Sequence, residues 1–171
     1  MIRAVLFDWG NTLMRELPGL RGPMCDWPRV EALPGAVATL EALRVQGLRL
    51  ALATNAADSG EAQIRAALAR CGLSEPLERI FCARDLGCAK PASAYYAACL
   101  AGLGLPAAEV AMVGDDWTGD VLGALYAGLA AVWLCPRRTL LPPVPDGARV
   151  RTIAALGELP AVLERWPQTG G

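Results

Sequence analysis

The sequence predicts an α/β fold: a three-layer α/β/α, Rossmann-like, doubly wound sheet whose strands are mostly parallel. Short apolar runs alternate with segments of helical periodicity, an order that is typical of parallel sheets covered by helices. The runs are almost uniformly apolar, as expected for strands buried on both faces. We therefore expect five strands, over residues 3–7, 48–53, 79–82, 110–113 and 129–134.

In the first half of the chain, a helix is expected after each of the first two strands. One is predicted over 34–46, where the following glycine ends it. The second begins after Asp58 or Ser59, either of which can cap it, and ends near residue 71. The first helix turns an apolar stripe towards the sheet, formed by Val37, Leu40 and Leu43.

In the second half, Pro91 suits the first position of a helix that runs to Leu103, because that position needs no N–H. Another helix is expected over 117–127. Four prolines make residues 135–150 a loop, and a last helix is expected over about 152–165. With no internal repeat and no room for a second unit, residues 1–171 are predicted to form one domain.

The composition argues against several classes of function. A net charge of −1 without charge runs gives no reason to expect nucleic acid or an anionic membrane as a partner. The longest uncharged apolar run, 121–134, is too short to cross a bilayer, and no signal peptide is recognisable. The absence of histidine excludes Ser-His and Cys-His nucleophilic sites. Six cysteines without a Cys-x-x-Cys pair indicate reduced thiols and a cytoplasmic protein.

Polar residues follow the predicted strands at the edge where parallel strands end. Asp8 follows the first strand, Thr54 and Asn55 follow the second, and Lys90 precedes a later helix. Residues 114–120 (Gly-Asp-Asp-Trp-Thr-Gly-Asp) follow the fourth strand. Ligands of open α/β sheets bind beyond the carboxyl ends of the strands. Carboxylates, a hydroxyl and an ammonium group there indicate a site for a divalent metal and a phosphoryl group.

Each acidic residue has a chemical and a structural interpretation. Asp8 can be a nucleophile, a metal ligand or a cap. Asp115 is the best candidate for direct ligation of Mg²⁺, while Asp116 and Asp120 either complete the metal site or orient waters and Lys90. The structural alternative is an acidic helix start with Asp116 near the N-cap.

Three side chains offer hydrogen bonds to phosphoryl oxygens. Lys90 is the only lysine beside fifteen arginines, which favours a place where a compact ammonium group is needed. It could neutralise both the phosphoryl group and Asp8. Thr54 and Asn55 can bind phosphoryl oxygens or cap a helix. Backbone N–H groups of the turn after Asp8 could cradle the same oxygens, and this turn contains Trp9, Gly10 and Asn11.

Taken in order, these residues resemble the four motifs of the haloacid dehalogenase-like (HAD) hydrolase superfamily. The first motif is 7–13 (Phe-Asp-Trp-Gly-Asn-Thr-Leu), the second is Thr54, the third is Lys90 with Pro91, and the fourth lies within 114–128. The resemblance implies a hydrolase that uses Mg²⁺ and forms an aspartyl-phosphate on its first aspartate.

The resemblance also implies a role for each motif residue. Asp8 attacks the phosphoryl group, and Mg²⁺ bridges Asp8, the Gly10 carbonyl and Asp115. Thr54 and Lys90 hold the phosphoryl oxygens, and water then releases phosphate. We therefore expect a phosphatase, with Asp116 as a further candidate metal ligand. The sequence does not identify the phosphorylated substrate.

Gly10 departs from the family pattern. Phosphatases of this superfamily usually carry a second aspartate there, which protonates the leaving group, and Asn11 replaces the usual glycine. General acid–base help is typically worth about 10²–10⁴-fold. Three interpretations stay open: a phosphatase with another proton donor, such as Glu16 or Asp26; a non-catalytic phospho-ligand-binding protein; and a dehalogenase-type hydrolase.

The segment 14–33 is too short for a helical cap domain. Its prolines and glycines predict an irregular flap, so the resemblance implies a capless member. An open site admits a large phosphorylated group, or a neighbouring subunit of a homo-oligomer closes it. Trp9, Trp27 and Trp117 can line its entrance or fill the core edge. Two arginines after the fifth strand are either solvated or contacts for an anionic substrate: Arg137 and Arg138.

Overall fold

Six parallel strands form the central sheet of the computed structural model, which describes residues 1–137 and 139–166. The strands are β1 (Ala4–Phe7), β2 (Arg49–Thr54), β3 (Arg79–Cys82), β4 (Val110–Gly114), β5 (Ala130–Leu134) and β6 (Val150–Ile153). They lie in the order β3-β2-β1-β4-β5-β6, and every neighbouring pair is parallel. The strand order reverses between β1 and β4, which is where such sheets bind ligands.

Helices and short helical turns connect the strands. The α-helices are α1 (Ala36–Val45), α2 (Glu61–Ala69), α3 (Ala83–Leu86), α4 (Ser93–Leu103), α5 (Gly123–Tyr126) and α6 (Leu159–Glu164). Three 3₁₀ turns cover Met24–Asp26, Ala107–Glu109 and Leu156–Glu158, and a π-helical segment, Trp117–Leu122, runs directly into α5. No helix in the described part of the chain is long and apolar enough to cross a membrane.

The sheet has a hydrophobic core on each face. Along β1, Val5 and Phe7 belong to one core, and Ala4 and Leu6 to the other, and all four are fully buried. Side chains of α1, α2 and α6 complete the first core, and side chains of α4 and α5 complete the second. The predicted three-layer α/β/α fold is therefore confirmed, and its uniformly apolar strands reflect burial on both faces.

The sheet has one strand more than the five predicted. β6 occupies residues that the sequence assigns partly to the proline-rich loop and partly to the last helix. Val150 and Ile153 are buried while Arg151 is exposed, so this edge strand contributes only two apolar residues to the core. A pattern this short defines no clear period. The last α-helix begins only at Leu159.

Two predicted helix features are wrong in detail. Val37 does not face the sheet: it is 41% exposed, whereas Ala36, Leu40 and Leu43 are buried. These three share one face because they are spaced at i, i+4 and i+7. Pro91 is not the first residue of α4, since it lies in the turn before this helix, which begins at Ser93.

The start of α2 also differs from the prediction. Its N-cap is Gly60 rather than residue 58 or 59. Asp85, on the unpredicted helix α3, accepts a hydrogen bond from the N–H of Glu61 at 3.0 Å, and Gln63 accepts one from the N–H of Gly60 at 3.2 Å. A side chain distant in sequence therefore caps this helix, which local sequence reasoning does not detect.

Residues 14–33 pack on the core instead of projecting from it. Leu17, Met24 and Trp27 in this segment are buried. Arg70, which follows α2, donates a hydrogen bond to the carbonyl of Trp27 at 2.7 Å. The irregular flap expected from the sequence is thus tied to α2, and its only helical element is the 3₁₀ turn Met24–Asp26.

Gly123 lies where α5 packs against the chain leading into α4. A Cβ at this position would lie 2.8 Å from Tyr96 Cε2 and 3.0 Å from Pro91 Cα. We predict that Gly123→Ala lowers the free energy of unfolding by about 1–3 kcal/mol through overpacking, as measured by urea denaturation. Gly157→Ala is the matched control, because its Cβ would meet no atom within 4 Å. Equal destabilisation in both variants would contradict the packing argument.

Candidate functional site

A cavity of about 890 Å³ opens at the carboxyl ends of the central strands. The turn after β1, the end of β2 with the residues that follow it, Lys90, the turn after β4 and the segment 14–33 line it. The predicted strand-end residues are brought together here, and they lie at the reversal point of the strand order. The polar side chains that line the cavity include Asp8, Thr54, Lys90, Asp115 and Asp120.

The Lys90 ammonium group lies at the centre of this site and is buried. Its Nζ donates hydrogen bonds to Asp8 Oδ1 at 2.7 Å, to Asp120 Oδ1 at 2.6 Å and to the Ala53 carbonyl at 2.8 Å. The side chain is only 3% exposed. An ammonium group has three N–H donors, so these acceptors satisfy all of them.

Opposing electrostatic effects act on this network. Burial by itself lowers the pKa of Lys90, but the charges and hydrogen bonds of Asp8 and Asp120 outweigh burial and raise that pKa above its ordinary value. Burial raises the pKa of Asp120, and the negative charge of Asp8 raises it further, while Lys90 opposes both. Lys90 therefore stays protonated as the shared counter-charge of two carboxylates.

The position of Asp120 depends on a glycine in β4. Asp120 Oδ2 accepts a hydrogen bond from the N–H of Asp116 at 3.0 Å. A Cβ on Gly114 would overlap Asp120 Oδ2 and lie 2.7 Å from its Cβ. Only glycine leaves this space free. The end of β4 and the π-helical segment together therefore position the Asp120 carboxylate beside Lys90.

Among the residues that the structure describes, Asp8, Asp115 and Asp120 form a group that could hold a metal ion. Ligand oxygens of the three carboxylates lie within 4.8 Å of one another. Thr12 Oγ1 lies 3.2 Å from Asp8 Oδ2 and 3.4 Å from Asp115 Oδ1, so it can donate its proton to either. Burial raises the pKa of Asp115, and the charge of Asp8 adds to the effect. A cation would relieve this repulsion, and carboxylate oxygens are ligands that suit Mg²⁺.

Asp116, a candidate metal ligand from the sequence, is not in this group. Its two carboxylate oxygens accept hydrogen bonds from the N–H groups of Thr118 at 3.1 Å and Gly119 at 3.0 Å. It is the N-cap of the π-helical segment. The structural interpretation of an acidic helix start therefore describes Asp116, and Asp120 takes the inward place.

Asn55 contacts Lys90 instead of pointing its amide freely into the cavity. Its Oδ1 accepts a hydrogen bond from the Lys90 N–H at 2.8 Å, and its Nδ2 donates one to the Lys90 carbonyl at 3.0 Å. Thr54 is buried on the cavity wall, and its hydroxyl accepts a hydrogen bond from the N–H of Ala56 at 3.2 Å. Asn55 thus fixes the backbone that carries the ammonium group.

Two tyrosines that sequence reasoning did not assign to the site support it from α4. The Tyr95 hydroxyl donates to the Phe81 carbonyl at 2.8 Å, and the Tyr96 hydroxyl donates to the Gly119 carbonyl at 2.7 Å. Burial raises the pKa of both phenols well above its ordinary value. A buried tyrosine hydroxyl needs a hydrogen-bond partner. Tyrosines on the inner face of a predicted helix are therefore the sequence signal that could have indicated these supporting contacts.

The turn after β1 brings together the two residues that depart from the family pattern. Asn11 has a left-handed backbone conformation, with φ of 54°. Its Nδ2 donates to Glu16 Oε2 at 3.3 Å, and its Oδ1 accepts from the Glu16 N–H at 3.1 Å. Gly10 and Glu16 both line the cavity. This contact was not predicted, although Glu16 was one of two candidate proton donors.

The tryptophans and arginines that the sequence placed at the entrance of the site lie in different environments. Trp9 is buried at the cavity wall, and its indole N–H points to Met14 Sδ at 3.1 Å. Trp27 is buried and lines the cavity, while Trp117 packs on Trp133 with ring centroids 4.8 Å apart. Arg137 is exposed, and Arg138 lies outside the described residues.

Comparison with known proteins gives relatives in sequence and in structure. The chain is 36% identical over 104 residues to ribulose-1,5-bisphosphate 5-phosphatase of Halopiger xanaduensis, covering 61% of this chain and 42% of that protein. It is 39% identical over 141 residues to phosphoglycolate phosphatase of Rhodospirillum rubrum, covering 81% and 55%. The chain thus spans about half the length of these curated relatives.

A solved structure shares the fold over nearly the whole chain. An uncharacterized protein from Listeria monocytogenes serotype 4b superposes with a TM-score of 0.83 at 27% identity, covering 95% of this chain and 97% of that chain. The sequence model of the haloacid dehalogenase-like hydrolase family matches residues 21–128, well over half of the sequence. The chain belongs to the haloacid dehalogenase-like hydrolase family.

Proposed function

We propose that this protein is a Mg²⁺-dependent phosphatase in which Asp8 is the nucleophile. The observation that carries the proposal is the position of the Asp8 carboxylate. The buried Lys90 ammonium group contacts one of its oxygens, and Thr12, which also lies near Asp115, contacts the other. Two relatives are named as phosphatases, which supports phosphoryl transfer as the reaction class.

In the proposed reaction, an Asp8 carboxylate oxygen attacks the phosphorus atom of a phosphate monoester and the ester P–O bond breaks. Lys90, 2.7 Å from Asp8 Oδ1, offsets negative charge on the nucleophile and on the phosphoryl oxygens. Thr54 donates its hydroxyl to a phosphoryl oxygen. Water then attacks the aspartyl-phosphate, which restores the Asp8 carboxylate and releases inorganic phosphate.

We assign Asp8, Asp115 and the Gly10 carbonyl as the groups that would hold Mg²⁺. When bound, the ion would neutralise negative charge on the reacting groups. Both oxygens of Asp120 already have partners, Lys90 and the Asp116 N–H. Asp120 is therefore proposed as a positioning residue for Lys90, and Asp116 as a cap rather than a ligand.

The proposal includes an open, capless site. Between β1 and α1 the only helical element is one 3₁₀ turn, and between Thr54 and Lys90 the described chain forms α2, β3 and α3. A phosphorylated compound whose bulk extends out of the cavity is the substrate class that this arrangement favours. Six cysteines without a Cys-x-x-Cys pair favour a reducing compartment such as the cytoplasm.

We predict that Asp8→Asn abolishes Mg²⁺-dependent hydrolysis of p-nitrophenyl phosphate, because an amide cannot replace the carboxylate nucleophile. Asp58→Asn is the matched control, since Asp58 lines the same cavity but is assigned no step in the proposed reaction. Colorimetric release of p-nitrophenol measures both. Binding of Mg²⁺ and phosphate without turnover in the wild type would instead indicate a phospho-ligand-binding protein. Release of chloride from chloroacetate without Mg²⁺ would indicate a dehalogenase.

The metal assignment is tested by two neighbouring carboxylates. We predict that Asp115→Asn raises the Mg²⁺ concentration for half-maximal activity by at least about tenfold, equivalent to about 1.4 kcal/mol, because it removes a charged ligand. Asp116→Asn keeps a good N-cap residue and leaves that concentration nearly unchanged. Calorimetric titration of Mg²⁺ gives a second readout. A similar loss in both variants would make Asp116 a ligand.

The shape of the Lys90 cation is predicted to matter as much as its charge. Lys90→Met leaves Asp8 and Asp120 without their counter-charge and lowers the free energy of unfolding by about 3–5 kcal/mol. Lys90→Arg restores the charge, but a planar guanidinium does not fit three converging acceptors, so activity stays lost. Urea denaturation and phosphate release measure the two effects. Arg44→Lys on the exposed face of α1 is the control exchange, and a fully active Lys90→Arg would contradict the prediction.

A further inference from the structure

Release of an alkyl group from a phosphate monoester requires a proton for the leaving oxygen. The sequence contains no histidine, and the proton donor must reach the cavity, so carboxyl groups on its wall are the candidates. Four of them already have roles: Asp8, Asp115, Asp116 and Asp120. The two others in the described lining are Asp58, whose Oδ1 accepts the Ser59 hydroxyl at 2.9 Å, and Glu16.

The Glu16 carboxyl group occupies the space beside Gly10 into which a side chain would grow. A Cβ built on Gly10 would overlap Glu16 Oε1 and lie 3.0 Å from its Cδ and 3.1 Å from its Cγ. Residue 10 is two positions from the nucleophile Asp8, on the same turn. The missing side chain at residue 10 is thus what admits a carboxyl group from residue 16.

Asn11 holds Glu16 in this place through two contacts. One joins Asn11 Nδ2 to Glu16 Oε2 at 3.3 Å, and the other joins the Glu16 N–H to Asn11 Oδ1 at 3.1 Å. Glu16 Oε1, the atom nearest the absent Cβ of Gly10, keeps no hydrogen bond to Asn11. Glu16 is also exposed to solvent, so it can exchange protons with water between turnovers.

We infer that Glu16 is the general acid and base of the reaction, supplied by the flap in place of a side chain at residue 10; this inference rests on the proposed phosphatase function. In the first step Asp8 forms a bond to phosphorus, the ester P–O bond breaks, and its electron pair takes the proton of the Glu16 carboxyl group to give an alcohol. In the second step Glu16, now a carboxylate, accepts a proton from the water that attacks phosphorus. The bond to Asp8 breaks, phosphate leaves, and Glu16 is protonated again.

The first test compares leaving groups. Glu16→Gln keeps the size of the side chain and an acceptor for Asn11 but cannot supply the proton. We expect it to lower kcat/KM for β-glycerol phosphate by about 10²–10⁴-fold, and for p-nitrophenyl phosphate by much less, because nitrophenolate leaves without protonation. Asp26→Asn, a second flap carboxylate that does not line the cavity, should match the wild type on both esters. Thermal denaturation verifies that the variants are folded.

The second test moves the carboxyl group back to residue 10. Glu16→Ala should lose activity on β-glycerol phosphate, and the double variant Gly10→Asp with Glu16→Ala should recover at least tenfold, because the truncated side chain leaves room for aspartate. Full activity of Glu16→Gln and Glu16→Ala on both esters, with Asp8→Asn inactive, would overturn the role of Glu16 and leave the proposed function intact. A wild type without Asp8-dependent turnover of either ester would overturn both.

Discussion

One buried cation, Lys90, constrains the geometry of the whole site. A charged group taken out of water is costly unless it is paired and hydrogen-bonded. Lys90 meets this requirement with acceptors from three parts of the fold: the end of β1, the backbone of β2 and the π-helical segment after β4. The three elements must therefore keep their relative positions for the charge to stay buried. The stability of the fold and the proposed reaction therefore depend on the same atoms of this network.

The support for this network comes from behind the sheet edge. Asn55 fixes the backbone of Lys90 with two hydrogen bonds, and Tyr96 fixes the carbonyl of Gly119 one residue before Asp120. Gly114 provides the space into which the Asp120 carboxylate fits. None of these groups needs to touch a phosphoryl group. Their common effect is to limit the positions that the ammonium group and its two carboxylate partners can take.

The sequence was sufficient to predict that the strand-end polar residues lie close together, because parallel strands bring their carboxyl ends to one edge whatever the details of the turns. Asp8, Thr54, Lys90 and Asp115 meet there as expected. Whether Asp116 or Asp120 turns inward depends on the local turn. In the structure, the π-helical segment directs Asp120 to Lys90, and Asp116 caps the start of that segment. β6 was missed for a related reason, since its four residues acquire their strand character from pairing with β5.

The overlap between a side chain at Gly10 and the Glu16 carboxyl group has a consequence for how this protein could diverge. The two positions are in contact, so the effects of substitutions at residues 10 and 16 are not expected to add. A mutation that restores a carboxylate at residue 10 meets the one already delivered by residue 16. An exchange at residue 10 therefore also moves the end of the Glu16 side chain, and the two positions are best exchanged together when the local geometry is transferred to a relative.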